Sequence, residues 1–358
     1  MTIKDILNEY NLTAETESFG NGHINDTYIV KGNPKHTIQK INTFVFKEPE
    51  KLMDNIEAVT SHLKKKIIAN GGDPERETLT VMKTKDGKNY VKDGDDFYRC
   101  YIFVDDVDVI EDTATPEDLY EAAYAYGKFM DMLADFPAEQ LNETIVDFHN
   151  TIKRYNDFEN SVKADKSGRA NSVAEEIKFV QDRKDYAGVV VNAMKEGKIP
   201  LKVTHNDTKL NNILFDKETH KGICVIDLDT VMPGSALYDF GDALRFAGST
   251  GTEDEQDLSK IEFDLEKFRM FTKGFIDSAI ESLNDYEIEL LPFSIILMTY
   301  ECGMRFLADH IDGDVYFKVH REGHNLDRCR TQFKLVADME AKKQQMDDIV
   351  KEIMSEYR

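Results

Sequence analysis

The stretch VTHNDTKLNNIL at residues 203–214, followed by VIDLD at residues 225–229, decides the interpretation of this chain. Its pattern is His-x-Asp-x-x-x-x-Asn, a short apolar run, a turn, and then two apolar residues before Asp227. Because residues 201–231 lack helical periodicity, we expect a loop, a strand at 213–215, a turn and a second strand at 223–228. The stretch therefore predicts a hairpin whose loop presents polar side chains.

The polar side chains of this stretch suit phosphoryl transfer. Asp207 can accept or orient the proton of an acceptor hydroxyl, and Lys209 can neutralise charge on the transferred phosphoryl group. Asn212 and Asp227 offer an amide and a carboxylate oxygen to Mg²⁺, which takes few protein ligands together with nucleotide phosphates. We predict Asp207 and Lys209 as catalytic residues, Asn212 and Asp227 as Mg²⁺ ligands, and ATP as the co-substrate.

The chain divides into two regions joined by an acidic connector. Residues 1–104 alternate short β-rich runs at 26–31, 36–41, 79–83 and 97–104 with Gly and Asn turns, and one apolar helical stripe at 52–63 ends at Gly71. Residues 105–115 form the linker. Residues 116–358 are mainly helical, with a start at Thr115 and Pro116 and further helical patterns at 169–197, 254–284, 286–311 and 335–357.

The N-terminal region supplies candidate nucleotide contacts. Gly22 belongs to a glycine-containing turn that lets the backbone approach phosphates. Lys40 on a strand and Glu57 on the next helix, 17 residues later, match the pair with which kinase folds hold inner phosphates. The backbone around Tyr101 and Phe103 precedes the linker and could bind adenine. The alternative for Lys40 and Glu57 is a solvated surface position.

Composition excludes several classes of partner. The chain has 358 residues with 45 Lys and Arg against 68 Asp and Glu, a formal charge of −23. That charge argues against nucleic acid and anionic membranes. No run approaches the roughly 18–20 apolar residues of a membrane span. The four cysteines form no CxxC pair, which fits a reducing compartment. We expect a cytoplasmic monomer with small-molecule partners.

Longer strings carry a resemblance to a known family. They are GHIN at 22–25, THNDTKLNNIL at 204–214, IDLDTVMPGS at 226–235 and ECGMRFLAD at 301–309. The catalytic strings resemble the aminoglycoside phosphotransferase and choline kinase superfamily, and the flanking strings are similar to bacterial N-acetylhexosamine 1-kinases. The resemblance implies an α+β, two-lobe protein-kinase-like fold, with a small antiparallel-sheet lobe that carries one helix and a large helical lobe. It also implies ATP- and Mg²⁺-dependent phosphorylation of the anomeric hydroxyl of GlcNAc or GalNAc.

The resemblance implies further roles for individual residues. Asp239 is expected to accept backbone N–H groups of the catalytic loop, and His205 to hold that loop through hydrogen bonds. The sugar contacts implied are Asn206, Asp229, Arg305, His23 and Tyr316.

Several of these roles have alternatives. Asp229 could instead be a second metal contact or a solvated turn carboxylate. Arg305 could form an internal ion pair with Asp309 or another carboxylate. Tyr316 could belong to the core.

Three rival functions remain open from the sequence. The first is the same fold acting on another small alcohol, such as choline, homoserine or an aminoglycoside. The second is a protein kinase, because Thr208-Lys209 stands where many small-molecule members have His-Pro. The third is a nucleotide-binding scaffold without catalysis, which the intact Asp207, Asn212 and Asp227 argue against.

Overall fold

The computed structural model describes residues 1–18, 25–110 and 114–357. Within them, the N-terminal region is built on a five-stranded sheet in the order β1-β2-β3-β5-β4. Neighbouring strands pair antiparallel, and Lys40 lies opposite Asp26 on one side and Tyr98 on the other. The strands are β1 (Thr16–Ser18), β2 (Asp26–Val30), β3 (His36–Ile41), β4 (Val91–Asp93) and β5 (Asp96–Ile102).

The sheet has two faces with different neighbours, because successive side chains of a strand point in opposite directions. On the outer face, Ile38 packs with α1 (Ile3–Glu9). On the cleft face, Ile41 packs with α2 (Pro49–Ala69) and with the C-terminal region. The pairing register assigns Ile38, Lys40, Tyr98 and Cys100 to the outer face, and Thr27, Gln39, Ile41, Phe97, Arg99 and Tyr101 to the cleft face.

Helix α2 confirms the predicted helix of the N-terminal region. Pro49 occupies the first helical position, where its missing N–H is not needed. Apolar residues at helical spacing are buried along one side, and the helix ends at Asn70. Gly71 follows with φ +76°, a left-handed conformation that glycine adopts readily.

The C-terminal region is mainly helical. Its first helix begins as predicted, because the Thr115 side chain accepts the N–H of Asp118 and the Asp118 side chain accepts the N–H of Thr115. The helices are α3 (Pro116–Met132), α4 (Thr151–Ala164), α5 (Ala174–Asp182), α6 (Val189–Lys195), α7 (Ala236–Ala247), α8 (Leu265–Ala279), α9 (Asp285–Asp312), α10 (His324–Ala341) and α11 (Lys343–Met354).

Helix α9 is the central element of this region, in contact with α4, α5, α7, α10 and α11. Among the described residues, it alone is long and apolar enough to cross a membrane, and 78% of its apolar window is buried inside the protein. Its apolar composition therefore fits a core helix.

Short strands hold the predicted catalytic stretch. Strand β7 (Lys202–Thr204) pairs with β10 (Met232–Gly234), and β8 (Ile213–Asp216) pairs with β9 (Gly222–Val225) and with β6 (Val107–Asp108). One apolar cluster joins Val203 and Ile213 of these strands to α2, α3 and the cleft face of the sheet. The two lobes of this α+β fold thus share a core next to the catalytic stretch, and the predicted fold class is confirmed.

Some predicted elements differ from the structure. Residues 79–83 form a single bridge between Val81 and Tyr101 instead of a strand. The expected helix at 169–197 is two helices separated by a turn that ends at Gly188, a poor helix former. Within the expected helix at 254–284 the structure has α8, and the expected helix at 335–357 corresponds to two helices, α10 and α11. The sequence analysis did not predict α1, α4 and α7. In the predicted linker, β6 joins the C-terminal sheet, while residues 111–113 lie outside the described residues.

Candidate active site

Asp239 of α7 anchors the loop that follows β7. Its carboxylate accepts the backbone N–H of His205 at 2.8 Å and of Asn206 at 2.7 Å. Its carbonyl oxygen accepts the Thr208 hydroxyl at 2.6 Å. Burial raises the pKa of Asp239, and the two N–H bonds act against that rise by favouring the charged form. The predicted role of Asp239 is confirmed.

His205 and Asn206 shape the loop from inside. The His205 ring lies 2.9 Å from the carbonyl oxygen of Ile226 through Nε2, and its Nδ1 accepts the N–H of Asp207 at 3.3 Å. Asn206 has φ +65° and donates through Nδ2 to the carbonyl oxygen of Thr230 at 2.9 Å. Asn206 is buried. The prediction for His205 is confirmed, and Asn206 helps to form the loop, while its predicted sugar contact stays a prediction.

Asp207 and Lys209 face the cleft at the end of this loop. The Lys209 Nζ lies 2.9 Å from an Asp207 carboxylate oxygen. Burial alone would lower the pKa of Lys209, but the Asp207 carboxylate outweighs it and raises that pKa. Lys209 is therefore a fixed positive charge beside Asp207, which is the arrangement that a carboxylate and a phosphoryl-stabilising cation require.

Asn212 and Asp227 are the two predicted Mg²⁺ ligands, and Asn212 contacts Asp207 directly. Asn212 donates through Nδ2 to the carbonyl oxygen of Asp207 at 2.8 Å, which leaves its amide oxygen as the atom that could bind a cation. Asp227, with φ +56°, follows β9 and opens onto the cleft. The protein around it and the charges of Asp229 and Asp207 raise the pKa of Asp227 to about 6.

These residues fit a magnesium ion that is held mostly by nucleotide phosphates. No group of three or more His, Cys, Asp or Glu side chains with metal-ligand geometry occurs in the described part of the chain. Mg²⁺ commonly takes one or two carboxylates plus phosphate and water oxygens. Asp227 and Asn212 meet that need, and a cation there would relieve the repulsion among the neighbouring carboxylates.

The predicted phosphate pair, Lys40 with Glu57, does not form. Lys40 lies on the outer face of the sheet, with Nζ 2.7 Å from the carboxylate of Asp96. Glu57 forms an ion pair with Lys83 and accepts Asn89 Nδ2 at 2.7 Å. The physical reason is strand parity, because Gln39, one residue earlier, holds the cleft-facing position of β3.

The cleft face carries a different cation, which sequence reasoning missed. Arg99 of β5 forms a buried ion pair with Asp229 and donates through Nε to Gln39 Oε1 at 2.9 Å. Asn25 Nδ2 donates to the other carboxylate oxygen of Asp229 at 2.7 Å. The predicted sugar contact Asp229 therefore bonds to the N-terminal lobe. Alternation of Phe97, Arg99 and Tyr101 in one strand could have placed Arg99 on a buried face.

The structure describes two of the other predicted nucleotide contacts, Tyr101 and Phe103. Tyr101 is buried in β5 opposite Thr37, with its ring next to Arg99 at 5.3 Å. The N–H of Phe103 already donates to the carbonyl oxygen of Lys35 at 3.0 Å, so it is not a free donor for adenine. Gly22 and His23 lie outside the described residues, and their predicted roles stay predictions.

A second group of side chains contacts the loop that carries Asp207 through His149. His149 is 2.9 Å from the Glu301 carboxylate through Nδ1 and 3.4 Å from the carbonyl oxygen of Asn206 through Nε2. Burial opposes the charge on Glu301, but the His149 bond and nearby cations lower its pKa overall. This buried contact fixes the segment that contains Phe148 and His149 against the catalytic loop.

Two arginines border the Phe148 segment. Arg305 lies 5.8 Å from the Phe148 ring, 5.9 Å from the Tyr316 ring and 5.4 Å from the Phe317 ring. Arg154 donates through Nη2 to the Phe148 carbonyl oxygen at 2.8 Å. Both arginines thus contact Phe148, and burial together with the positive charge of Arg305 lowers the pKa of Arg154.

These contacts argue against the ion-pair alternative for Arg305 and the core alternative for Tyr316, and the sugar contacts of both residues stay predictions. Asp309 accepts the backbone N–H groups of residues 315–317, and no carboxylate of the described residues lies within ion-pair distance of Arg305. Tyr316 is 70% exposed and thus not a core residue. Arg154 was missed, since nothing in the sequence distinguishes it from its neighbour Lys153.

Solved structures share this architecture. A microcompartment-associated aminopropanol kinase matches with a TM-score of 0.64 and 17% identity, over 96% of this chain and 98% of the other. An aminoglycoside phosphotransferase from Alicyclobacillus acidocaldarius matches with a TM-score of 0.65 and 14% identity, over 96% of each chain. A choline kinase from Cryptosporidium parvum matches with a TM-score of 0.56 and 14% identity, over 94% and 91%. At these identities the likeness establishes the fold.

The sequence itself gives the family. A profile described as the phosphotransferase enzyme family matches residues 15–271, well over half of the chain. The matched range contains the anchored loop with Asp207 and Lys209, the cation-binding candidates Asn212 and Asp227, and the Arg99 contact. The chain therefore belongs to the phosphotransferase enzyme family.

Proposed function

We propose that this enzyme transfers the γ-phosphoryl group of ATP, with Mg²⁺, to the anomeric hydroxyl of an N-acetylhexosamine such as GlcNAc or GalNAc. The product is the sugar 1-phosphate. The observation that carries the choice of acceptor is the pair of arginines at Phe148: Arg305 lies near the Phe148 and Tyr316 rings, and Arg154 donates to the Phe148 carbonyl oxygen.

The donor side of the proposal rests on the anchored loop. Asp207 orients the acceptor hydroxyl and takes its proton, and Lys209 stabilises charge on the phosphoryl group as it moves. Asn212 and Asp227 hold Mg²⁺, which supplies charge neutralisation for the phosphates. An anomeric hydroxyl is more acidic than ring alcohols, so a weakly basic carboxylate is sufficient.

The acceptor side of the proposal rests on charge. Two neighbouring guanidinium groups repel a cationic acceptor but donate hydrogen bonds to hydroxyl and amide oxygens. The Phe148 and Tyr316 rings offer apolar surface to the ring face of a sugar, and the exposed Tyr316 lies at the rim. A neutral, oxygen-rich acceptor with an acetamido group fits this wall.

An amino alcohol is the second candidate. The aminopropanol, ethanolamine and choline kinases among the similar structures are named for such acceptors. Glu301 and Asp207 could attract a cation, but Glu301 is already bound to His149. The acceptor wall keeps two positive charges, and this favours the sugar over choline, homoserine or an aminoglycoside.

An acceptor panel tests the proposal. We expect Mg-ATP turnover with GlcNAc and GalNAc and none with choline, ethanolamine or kanamycin. Phosphorus NMR of the product should show coupling to the anomeric proton, and 1-deoxy-GlcNAc should bind without accepting phosphate. Phosphate on O6, or preferred turnover of an amino alcohol, would assign the enzyme to another branch of the family.

A substitution tests the wall directly. Arg305→Ala should raise the KM for the sugar and leave the KM for ATP unchanged. The fall in kcat/KM for the sugar should correspond to a loss of roughly 1–3 kcal/mol in transition-state stabilisation. Arg183→Ala is the matched control, because Arg183 also stacks on a ring, that of Phe179, and pairs with Glu340. If Arg305→Ala affects only ATP, the wall does not bind the acceptor.

A further inference from the structure

The cleft face of the sheet has a single cation on strands β2, β3 and β5, and it is Arg99. Lys40 and His36, the other basic residues of these strands, belong to the outer face. The cleft below carries the carboxylates of Asp207, Asp227 and Asp229. A nucleotide polyphosphate that enters this cleft therefore needs positive charge from the sheet.

Arg99 is held in a fixed position. It is 1% exposed, its Nη1 donates to Asp229, and its Nε donates to Gln39 at 2.9 Å. Gln39 in turn donates through Nε2 to the Thr27 hydroxyl at 3.1 Å. These contacts use two of the five N–H donors of a guanidinium group, which presents a planar fork that matches phosphate.

A purely structural role explains this pair poorly. A buried ion pair generally stabilises a fold no better than apolar residues of similar size. Its partner Asp229 is two residues from the cation-binding candidate Asp227, and the charge of Asp227 also acts on Arg99. The ion pair thus lies where the inner phosphates and their metal ion would come together.

We propose that Arg99 is the phosphate-binding cation of the nucleotide site, in the role that the sequence had suggested for Lys40. Without nucleotide, Asp229 neutralises Arg99. When nucleotide enters, its inner phosphate oxygens replace the Asp229 carboxylate on the guanidinium, while Gln39 keeps the group oriented. This inference rests on the proposed use of ATP.

Calorimetric titration of adenosine, ADP and ATP tests this role. Arg99→Gln should weaken ADP and ATP binding about tenfold to a hundredfold, the size of a charged hydrogen bond, and leave adenosine binding unchanged. Arg99→Lys should restore part of the loss. Lys40→Gln is the matched control and should bind all three ligands as the wild type does.

The outcomes separate the possible explanations. Equal weakening of adenosine and ATP, or unchanged ATP binding with a lower melting temperature, would make Arg99 a structural ion-pair residue and overturn the inference. Loss of ATP binding in Lys40→Gln would overturn it as well. If Arg99→Gln does not fold, the Arg99→Lys variant is measured instead. Weaker ATP binding with unchanged adenosine binding in that variant would support the role of Arg99 in phosphate binding. Wild-type protein that binds no adenine nucleotide would instead refute the proposed function itself.

Discussion

The loop at 204–212 and the strand-to-helix segment at 36–57 were both expected to carry residues for phosphoryl transfer. The structure brings the predicted residues together in the loop but not in the segment. In the loop, Asp207, Lys209 and Asn212 come together as their spacing predicts. In the segment, Lys40 and Glu57 bind other partners. The difference shows which sequence spacings determine contacts.

Residues of one short loop are joined by a few bonds and share one anchor, so their spacing limits where they can lie. A strand residue is placed by parity, and a shift of one position moves its side chain to the other face. The 17-residue separation of Lys40 and Glu57 permits the pair, but the cleft-facing position belongs to Gln39. Composition and spacing cannot detect this shift, whereas the pairing register can.

The largest expected effect is on the loop side of the comparison. Asp207→Asn keeps the shape of the side chain but removes the charge that orients the acceptor proton. We expect kcat to fall by at least about 10²-fold with nucleotide affinity retained. Steady-state kinetics with calorimetric titration of ATP measures both quantities. Near-normal turnover would remove Asp207 from the chemical step.

Asp239→Asn tests whether the Asp239 carboxylate holds the loop at 204–212 in position. The substitution replaces a charged acceptor of two backbone N–H groups, and hydrogen bonds to charged groups contribute about 1.5–3 kcal/mol. We expect a lower free energy of unfolding in urea and a lower kcat, since the loop loses its fixed position.

Asp348→Asn, at an exposed helix position, is the control for loss of one negative charge. A stable Asp239→Asn protein with full activity would show that the loop holds its shape without this anchor.

Sequence reasoning was most successful where chemistry is local. The Thr115 capping box and the stop of α2 at Gly71 each depend on neighbours in sequence. The role of Asp239, whose partners His205 and Asn206 are more than 30 residues away, came from the family resemblance. It failed for Arg99, Arg154 and Asn55, because their roles depend on segments far away in the chain. Asn55, for example, donates from α2 to carbonyl oxygens of Asn142 and Val231. No pattern within α2 indicates those partners.

Asn55 provides a test of the segment that sequence reasoning misjudged. Asn55→Ala leaves the carbonyl oxygen of Val231 and the N–H of Asn142 without their partner, and an unsatisfied buried polar group costs about 1–3 kcal/mol. We expect a loss of that size in the free energy of unfolding, measured in urea. Asp54→Ala, at the exposed neighbouring position of the same helix, should stay within about 0.5 kcal/mol of the wild type. Equal losses in both variants would mean that the Asn55 contacts do not account for the effect, since alanine itself favours the helix.

The smallest expected effect tests the misplaced pair itself. A double-mutant cycle of Lys40→Ala and Glu57→Ala should give an interaction free energy within about 0.3–0.5 kcal/mol of zero, because the two side chains have separate partners. The cycle of Lys40→Ala with Asp96→Ala is the positive comparison, and an exposed ion pair of this kind should couple by about 0.2–1 kcal/mol. Both cycles are measured by urea unfolding, and ATP affinity should not change in any of the four proteins of the first cycle. Two results would favour Lys40 as the phosphate-binding residue after all. One is stronger coupling of Lys40 to Glu57 than to Asp96, and the other is a loss of ATP affinity in Lys40→Ala. Zero coupling would instead agree with the register, which places Gln39 and Arg99 on the cleft face of this sheet and Lys40 on the outer face.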